Sequence, residues 1–432
     1  MADIIIGMIG FGTVGTGVAK ILLKDRAMLE QRAGCAVELR RIVDLDVTTD
    51  RGVALPSGML TANINDILAD ASINTVIEVI GGENPARKFI EAALEAGKNV
   101  VTSNKEVIAK HGRRFTEIAK ANDCTILYEA AVGGGIPVLQ AIRNSLSANT
   151  VERIYGIVNG TTNYILSKMT ASGADFSETL KEAQALGYAE ANPKNDVEGY
   201  DATYKLAILA SLAFRCPVDY NEIYREGITN ITSADIVAAR QFGYAIKILA
   251  MGINHGDSIE LRVHPVMVDA SHPLATVSDV FNAIYIRGSS LGDSMLYGRG
   301  AGELPTASAV VGDVMNLAFR GKAGFERDTD FALNERKVMS INDCVTSFFV
   351  RSVVEDAPGV LANLANIFAK NSVSIESLQQ MDAKEGSATI TIITHPVAEA
   401  KMRSALHEIE GLSCVRKVAS VIRVGLGECA EA

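Results

Sequence analysis

The sequence predicts an α/β protein in three parts. Residues 1–130 read as a Rossmann-type, doubly wound parallel sheet and 131–320 as an α+β domain; a polar linker at 321–346 leads to a small βαββαβ module at 347–427. Three observations carry that expectation. A glycine loop falls between an apolar run and a helical stretch at the N-terminus. Apolar runs of strand length then alternate with amphipathic stretches, the pattern of a parallel sheet wound on both faces. After the polar stretch GKAGFERDTDFALNERKVMSINDCV (321–345) the texture restarts on a smaller scale.

Residues 4–9, IIIGMI, form a short apolar run suited to a buried parallel strand. Gly10-Phe11-Gly12-Thr13-Val14-Gly15 follows, then TGVAKILLKDRAML with helical periodicity. Strand, glycine loop and helix in that order turn a GxGxxG match into a dinucleotide-binding turn. Gly10 allows the tight turn, Gly12 lets the backbone approach a pyrophosphate, and Gly15 permits close packing of helix on strand. The helix N-terminus supplies amide donors for phosphate. A glycine turn without a ligand is the plain alternative. The second strand, VELRRIV, ends at Asp44, where a carboxylate would bond a ribose 2′-hydroxyl and favour NAD. Arg40 and Arg41 would instead neutralise the 2′-phosphate of NADP, so both coenzymes stay open.

Further strand-like runs are TVIEVIGG (75–82), KNVVTSNK (98–105) and CTILYEAAVGGG (124–135), with helical stretches such as PARKFIEAALEAG between them. Ser103, Asn104 and Lys105 fall at the carboxyl end of a strand, where such sheets bind their ligands. A lysine after a strand is more often a surface residue; this position favours a role.

The segment 183–205, AQALGYAEANPKNDVEGYDATYK, is dense in charge and runs into LAILASLAF, which is apolar on every side. A helix hydrophobic all round is buried. Asp201 and Lys205 lie one turn apart on one face of it. From spacing alone, an ion pair capping a core helix explains them as well as chemistry does. Lys205 stands near the positive end of the helix dipole, however, and burial and dipole both favour the neutral amine. A lysine so placed can exchange protons near neutral pH. The carboxylates before it suit a cationic group on a small substrate. Asp196 and Glu198 are expected to serve only the loop and the helix cap.

The net charge of −10, with no basic block to offset it, argues against nucleic acid as a partner. The N-terminal apolar run is too short and too glycine-rich to span a bilayer, and it lacks a basic n-region. A cytoplasmic protein without membrane contact is expected. The six cysteines, Cys35, Cys124, Cys216, Cys344, Cys414 and Cys429, show no CxxC pairing and read as small core residues. No HExxH spacing occurs. His264 and His272 flank prolines in loop-like sequence and carry no catalytic weight. The sheet-rich segments 252–269 and 279–288 are expected to pair across subunits, giving a homodimer or homotetramer.

Together with 183–205, the stretches VTSNKEVIAKHG (101–112), YEAAVGGGIPV (128–138) and GIVNGTTNYIL (156–166) resemble homoserine dehydrogenase, from the glycine loop to about residue 320. The resemblance implies NAD(P)H-dependent interconversion of L-aspartate 4-semialdehyde and L-homoserine, on the route to threonine, methionine and isoleucine. It makes 131–320 the catalytic and dimerisation domain. It makes Lys205 the acid/base, with Lys105 near the nicotinamide and substrate. Glu190 and Asp201 would hold the substrate, Glu190 at its ammonium, and the loop carrying Asn159 and Thr161 would offer small polar groups. A monovalent cation, Na+, is implied at Glu129 and the backbone oxygens of Val132, Gly134 and Ile136; oxygen ligands suit a hard cation. A plain strand-to-helix turn is the other reading of those glycines. Gly302 and Glu303, in the loop 298–306, would lie near the cofactor, unless that loop is only a helix entry. One departure stands out. Family members often carry basic residues just past the second strand; here the sequence is DLDVTTDRG, with Arg51 the nearest downstream cation.

The C-terminal order of strand, helix, strand, strand, helix, strand resembles an ACT domain. Such modules commonly bind amino acids, so threonine is expected at Asp356, Pro358, Gly359, Val360 and Leu361, lowering activity. An oligomerisation module that binds nothing is the alternative. Two other functions compete. Aspartate-semialdehyde dehydrogenase needs a nucleophilic cysteine, and no cysteine here has a nearby histidine in sequence. A non-catalytic amino-acid sensor predicts damaged chemistry residues, yet Lys105, Glu190, Asp201 and Lys205 are all present.

Overall fold

The structure, a computed structural model, describes residues 3–323, 335–384 and 386–427. Residues 324–334 of the expected linker and Cys429 lie outside the described residues. The chain divides into two compact units, each assembled from separated segments: Met1–Glu152, Tyr204–Glu222 and Asn282–Arg336 in the first, Arg153–Thr203, Ile223–Phe281 and Lys337–Ala432 in the second.

In the first unit, six parallel strands stand in the order Leu60–Thr61, Val37–Val43, Ile4–Ile9, Thr75–Glu78, Asn99–Thr102, Ile126–Leu127. The expected doubly wound sheet is thus present, with strand order 3-2-1-4-5-6 and its switch point beside Ile4–Ile9. The strands are apolar because both faces are covered. Ile6, Met8, Ile77 and Val101 pack with Val18, Ala19 and Leu22 of the helix Thr13–Lys24. The helix Glu303–Ala323 adds Ala307, Val310 and Val314 to the same core, so sequence from beyond residue 300 completes the N-terminal layer. Fully burying an aliphatic side chain contributes about 1.5–3 kcal/mol. Three expected strands shrink. The run 75–82 is a strand only to Glu78, 98–105 only at Asn99–Thr102, and 124–135 only at Ile126–Leu127. Beyond these points the chain turns into glycines at Gly81 and Gly82 and into a 3-10 turn at Glu129–Ala131.

In the second unit, Tyr244–Asn254 and Ser258–Asp269 form a long antiparallel hairpin, flanked through Ile253 and Gly252 by Arg153 and Ile154 of the strand Val151–Ile157. The expectation that 252–269 is strand-rich holds, but the reading of His264 as loop-like is overturned: His264 is buried in mid-strand. The far side of Ser258–Asp269 takes three short parallel partners. Lys337–Val338 joins Ser258 and Ile259, Tyr224–Arg225 joins Arg262 and Val263, and the last module strand joins Val266 and Met267. The segment read as linker therefore supplies a strand.

The module has the expected βαββαβ order. Its strands lie Val415–Val424, Val345–Glu355, Ser387–Thr394, Ile375–Lys384, with helices Val360–Lys370 and Glu399–Glu410 closing a core of Phe348, Val350, Leu364, Phe368, Ile390 and Met402. No helix among the described residues is long and apolar enough to cross a membrane.

Candidate active site

In the first unit the glycine loop leaves the strand Ile4–Ile9 at the switch point. Gly10 has φ +103°, and a side chain there would meet the Val79 backbone at 3.0 Å. A Gly15 side chain would strike the Gly10 carbonyl at 2.2 Å, so helix and turn can close only on glycine. Gly12 has nothing within 4 Å of its missing side chain, which leaves room for a ligand at the helix N-terminus. Thr13 and Val14 open the helix, and Phe11 is buried against the core. These residues fit a dinucleotide's pyrophosphate.

Asp44 sits at the end of its strand, and its carboxylate already accepts from the Phe11 amide at 2.6 Å and the Asp46 amide at 2.9 Å. The cation brought to it is Arg51, at 3.8 Å from Asp44 and 5.1 Å from the Phe11 ring centre. Arg40 and Arg41 are not brought there. They lie in mid-strand, where Arg40 pairs with Glu38 at 2.8 Å and Arg41 donates to the Gly58 carbonyl.

Across the switch point, Glu78 ends its strand fully buried and accepts from the Thr102 hydroxyl at 2.6 Å and the Ile80 amide at 2.9 Å. Burial pushes its pKa up against those bonds. The Ser103 amide reaches the Glu78 carbonyl at 3.4 Å. Asn104 caps the helix Lys105–Ala121 and donates to the Gly82 carbonyl at 2.7 Å, which fixes Lys105 at the first helical position. The sequence carries one signal for Glu78, an acid ending an apolar strand.

The loop 132–136 is folded by Gly133 at φ +72° and Gly134 at φ +55°, and a Gly134 side chain would collide with Gly300. The Glu129 carboxylate caps the turn beyond, accepting from the amides of Leu139 at 2.8 Å and Gln140 at 2.7 Å. Its own amide donates to Asp313 at 2.7 Å. Each Glu129 side-chain oxygen takes the bond of one amide and keeps a second acceptor site, so a cation here would draw on Glu129 and the carbonyls of Val132, Gly134 and Ile136. Gly302 has φ +119° at the entry to the helix Glu303–Ala323, and Glu303 pairs with Lys20 at 2.6 Å. Glu303 thus braces the first helix two turns beyond the glycine loop.

In the second unit, Asn159 caps the helix Gly160–Ser172. Its Oδ1 accepts from the Thr162 amide at 2.9 Å, leaving Nδ2 to donate to Asp201 at 2.9 Å and Asp196 at 2.7 Å. Two carboxylates are thus gathered on one buried amide. Asp196, expected to be a mere loop residue, belongs to this cluster; the contact spans 37 residues in sequence, and no local pattern signals it. The Thr161 hydroxyl donates to the Tyr188 carbonyl at 2.6 Å. Glu190 is exposed on the same loop, its carbonyl held by Gln184 at 3.0 Å.

Asp201 and Lys205 share the helix Tyr200–Phe214 and are 5% and 8% exposed. Leu206, Ala207, Leu209 and Ala210 behind them are buried, as an all-apolar helix requires. Cysteine chemistry finds no support: burial pushes the Cys124 and Cys344 thiols up to about 11 and about 12, and raises Cys216 as well. Thiols held in that range are not thiolate nucleophiles.

A 3-2-1-4-5-6 sheet with a glycine loop at its switch point defines a dinucleotide-binding protein. Family models described as homoserine dehydrogenase, NAD binding domain, as homoserine dehydrogenase and as ACT domain match residues 10–129, 137–315 and 349–413. The homoserine dehydrogenase of Synechocystis is 42% identical over 97% of this chain and 99% of its own, and that of Bacillus subtilis 38% identical over 98% and 99%. A crystal structure of a homoserine dehydrogenase from Thiobacillus denitrificans is 37% identical with a TM-score of 0.93, covering 98% of this chain and 99% of its own. A hyperthermophilic archaeal homoserine dehydrogenase mutant in complex with NADPH, 26% identical, gives a TM-score of 0.62 over 75% of this chain and 99% of its own. The chain belongs to the homoserine dehydrogenase family and carries an ACT domain.

Proposed function

We propose that the protein reduces L-aspartate 4-semialdehyde to L-homoserine, reversibly, in the biosynthesis of threonine, methionine and isoleucine. The observation that carries this reading is the burial of Lys205 on an apolar helix, one turn after the buried Asp201. The bound nicotinamide supplies the hydride. Lys205 donates the proton that the carbonyl oxygen takes up as its carbon is reduced, and recovers one in the reverse direction. Asp201 and Asn159 orient the substrate, Glu190 and Asp196 face its ammonium, and Lys105 steadies the carbonyl end. Thr161 keeps the 188–190 loop in place.

Gly10 to Gly15, Ser103 and Gly302 form the cofactor's setting. Asp44 favours NAD, while Arg51 beside it provides for a 2′-phosphate, so use of both coenzymes is the reading that fits. The carbonyls around Val132 to Ile136 hold Na+. Threonine at Asp356 to Leu361 inhibits. The working domain limits remain 1–130, 131–320 and 347–427, in a cytoplasmic homodimer or homotetramer.

One assay tests the core of this: homoserine-dependent reduction of NAD against NADP, with and without threonine. The Lys205→Ala protein should lose about a hundredfold or more in kcat, the usual contribution of a general acid, with cofactor affinity unchanged. Near-normal kcat would remove Lys205 from the proton-donor role.

A further inference from the structure

The strand Val37–Val43 runs out into a turn at 44–51, and Asp46 builds that turn. Its Oδ1 accepts from the Thr48 amide and hydroxyl, both at 3.0 Å, and from the Thr49 amide at 3.0 Å. Its Oδ2 accepts from Arg51 Nη2 at 3.1 Å. Arg51 Nη1 donates to the carbonyls of Asp46 at 3.1 Å and Thr49 at 3.0 Å. The guanidinium is thus folded back onto its own turn. Its side chain is only 15% exposed, whereas that of Asp46 lies at the rim and is 43% exposed.

Asp44 stands where sheets of this order bind the adenosine ribose. Each of its oxygens takes one amide, from Phe11 or Asp46, and keeps a second acceptor site for a 2′-hydroxyl. A 2′-phosphate asks for the opposite, cationic N–H donors and no surplus of negative charge. Arg51 meets that demand poorly as it stands. Its Nη1 is turned to two carbonyls, and its Nη2 is divided between Asp46 at 3.1 Å and Asp44 at 3.8 Å. The charges of Asp44, Asp46 and Arg51 sum to minus one. Hydrogen bonds from Thr49, then Thr48, hold the Asp46 carboxyl well below the usual carboxylate range, so its charge persists.

We propose that Asp46 sets the coenzyme preference: it holds Arg51 to the turn and away from a 2′-phosphate, so that both coenzymes enter but NAD binds more tightly. The inference rests on the reading of Asp44 and Arg51 as the ribose end of the cofactor site, and assigns the choice between coenzymes to a third residue. Asp46 acts through Arg51. While the two are paired, an entering 2′-phosphate must draw the guanidinium off one anion to gain it for another, and the exchange nets little. Without the Asp46 charge, the carbonyls of Asp46 and Thr49 still keep Arg51 beside Asp44, and Nη2 is released to the phosphate. Asparagine at 46 has the same shape and still accepts from the Thr48 and Thr49 amides through its Oδ1. The turn therefore survives the loss of the charge.

The test is calorimetric titration of the full-length protein with NADH and with NADPH. The readout is the ratio of the two Kd values, in which any loss of folded protein cancels. The unsubstituted protein should bind NADH more tightly. Asp46→Asn should move the ratio about tenfold toward NADPH, the effect of one added charge-assisted hydrogen bond. Arg51→Gln should move it about tenfold the other way. With both substitutions together the gain from Asp46→Asn should vanish, because it passes through Arg51. Three results would each overturn the proposal: NADPH binding more tightly than NADH in the unsubstituted protein, a ratio unmoved by Asp46→Asn, or an equal gain from Asp46→Asn when Arg51 is already glutamine. In all three the protein still binds dinucleotide, so the cofactor reading stands. Binding of neither coenzyme, with homoserine oxidation absent, would overturn that reading and this one together.

Discussion

The two units bury ionisable groups in opposite ways. In the first, Glu129 and Asp313 are 3% and 1% exposed and lie against one another, the Glu129 amide donating to Asp313. Burial, then for Glu129 the charge of Asp313, pushes their pKa values up to about 7 and about 6. In the second, buried acids are matched with arginine. Glu399 receives Arg423 at 2.6 and 2.9 Å, and Asp235 receives Arg351 at 2.8 Å while capping its own helix through Thr232. Both arginines come from the module. The acid pair titrates near neutrality; of the matched pairs, Arg351–Asp235 ties the module to the helix Ser233–Gln241, and Arg423–Glu399 lies within the module.

Breaking a matched pair should have the largest effect. Arg423→Met leaves Glu399 buried with only Arg403 at 3.1 Å, and removes the bond to Glu226 at 2.9 Å. Removing one partner of a buried pair costs about 3–5 kcal/mol; the remaining arginine places this case near 3. Chemical denaturation should show it, and Arg423→Met with Glu399→Gln should recover part of the loss. A single-variant loss under about 1 kcal/mol would mean that the pair is solvated like a surface bridge.

The acid pair predicts a smaller effect of definite sign. Folded pKa values above the unfolded ones mean that the folded state holds more protons between about pH 4 and pH 7. Stability from this pair is therefore full only below about pH 4 and is lost as pH rises through about 6 and about 7. Asp313→Asn keeps an acceptor for the Glu129 amide but removes the like charge. The decline between about pH 5 and pH 8 should flatten by about 2 kcal/mol. Melting temperatures of the two proteins that stay parallel across that range would dissolve the contrast between the units.

What the sequence disclosed follows a physical line. The glycine loop, the strands 4–9 and 37–43 and the βαββαβ order were legible because each is a local pattern of period or turn. The helix behind Lys205 was legible for the same reason. Contacts closed over long separations were not: Asn159 with Asp196, the return of Glu303 to Lys20, and the two-residue ladder joining module and hairpin. His264 was misplaced for a specific reason. The His-Pro pair reads as a turn because proline cannot donate to a ladder. Here Pro265 falls between the partner strands that end at Val263 and begin at Val266, so no partner asks for its missing amide.

His264 carries the smallest effect and the sharpest test of sign. It is fully buried, hydrogen-bonded through Nδ1 to the Pro265 carbonyl at 2.9 Å. Burial, then the charges of Arg423 and Arg262, hold its pKa well below the usual histidine range. The unfolded chain takes up a proton near pH 6.5 while the folded one does not. Its contribution is thus present above that pH and lost as pH falls, the reverse of the acid pair. His264→Gln, which cannot titrate, should spare the protein about 1 kcal/mol of the loss between pH 6.5 and pH 5.5. In Arg423→Met one of the two neighbouring cations is gone, so the same acid loss should shrink there too. If His264→Gln leaves the acid limb of the melting-temperature profile unchanged, the histidine is protonated in the folded protein and the arginines do not govern its charge.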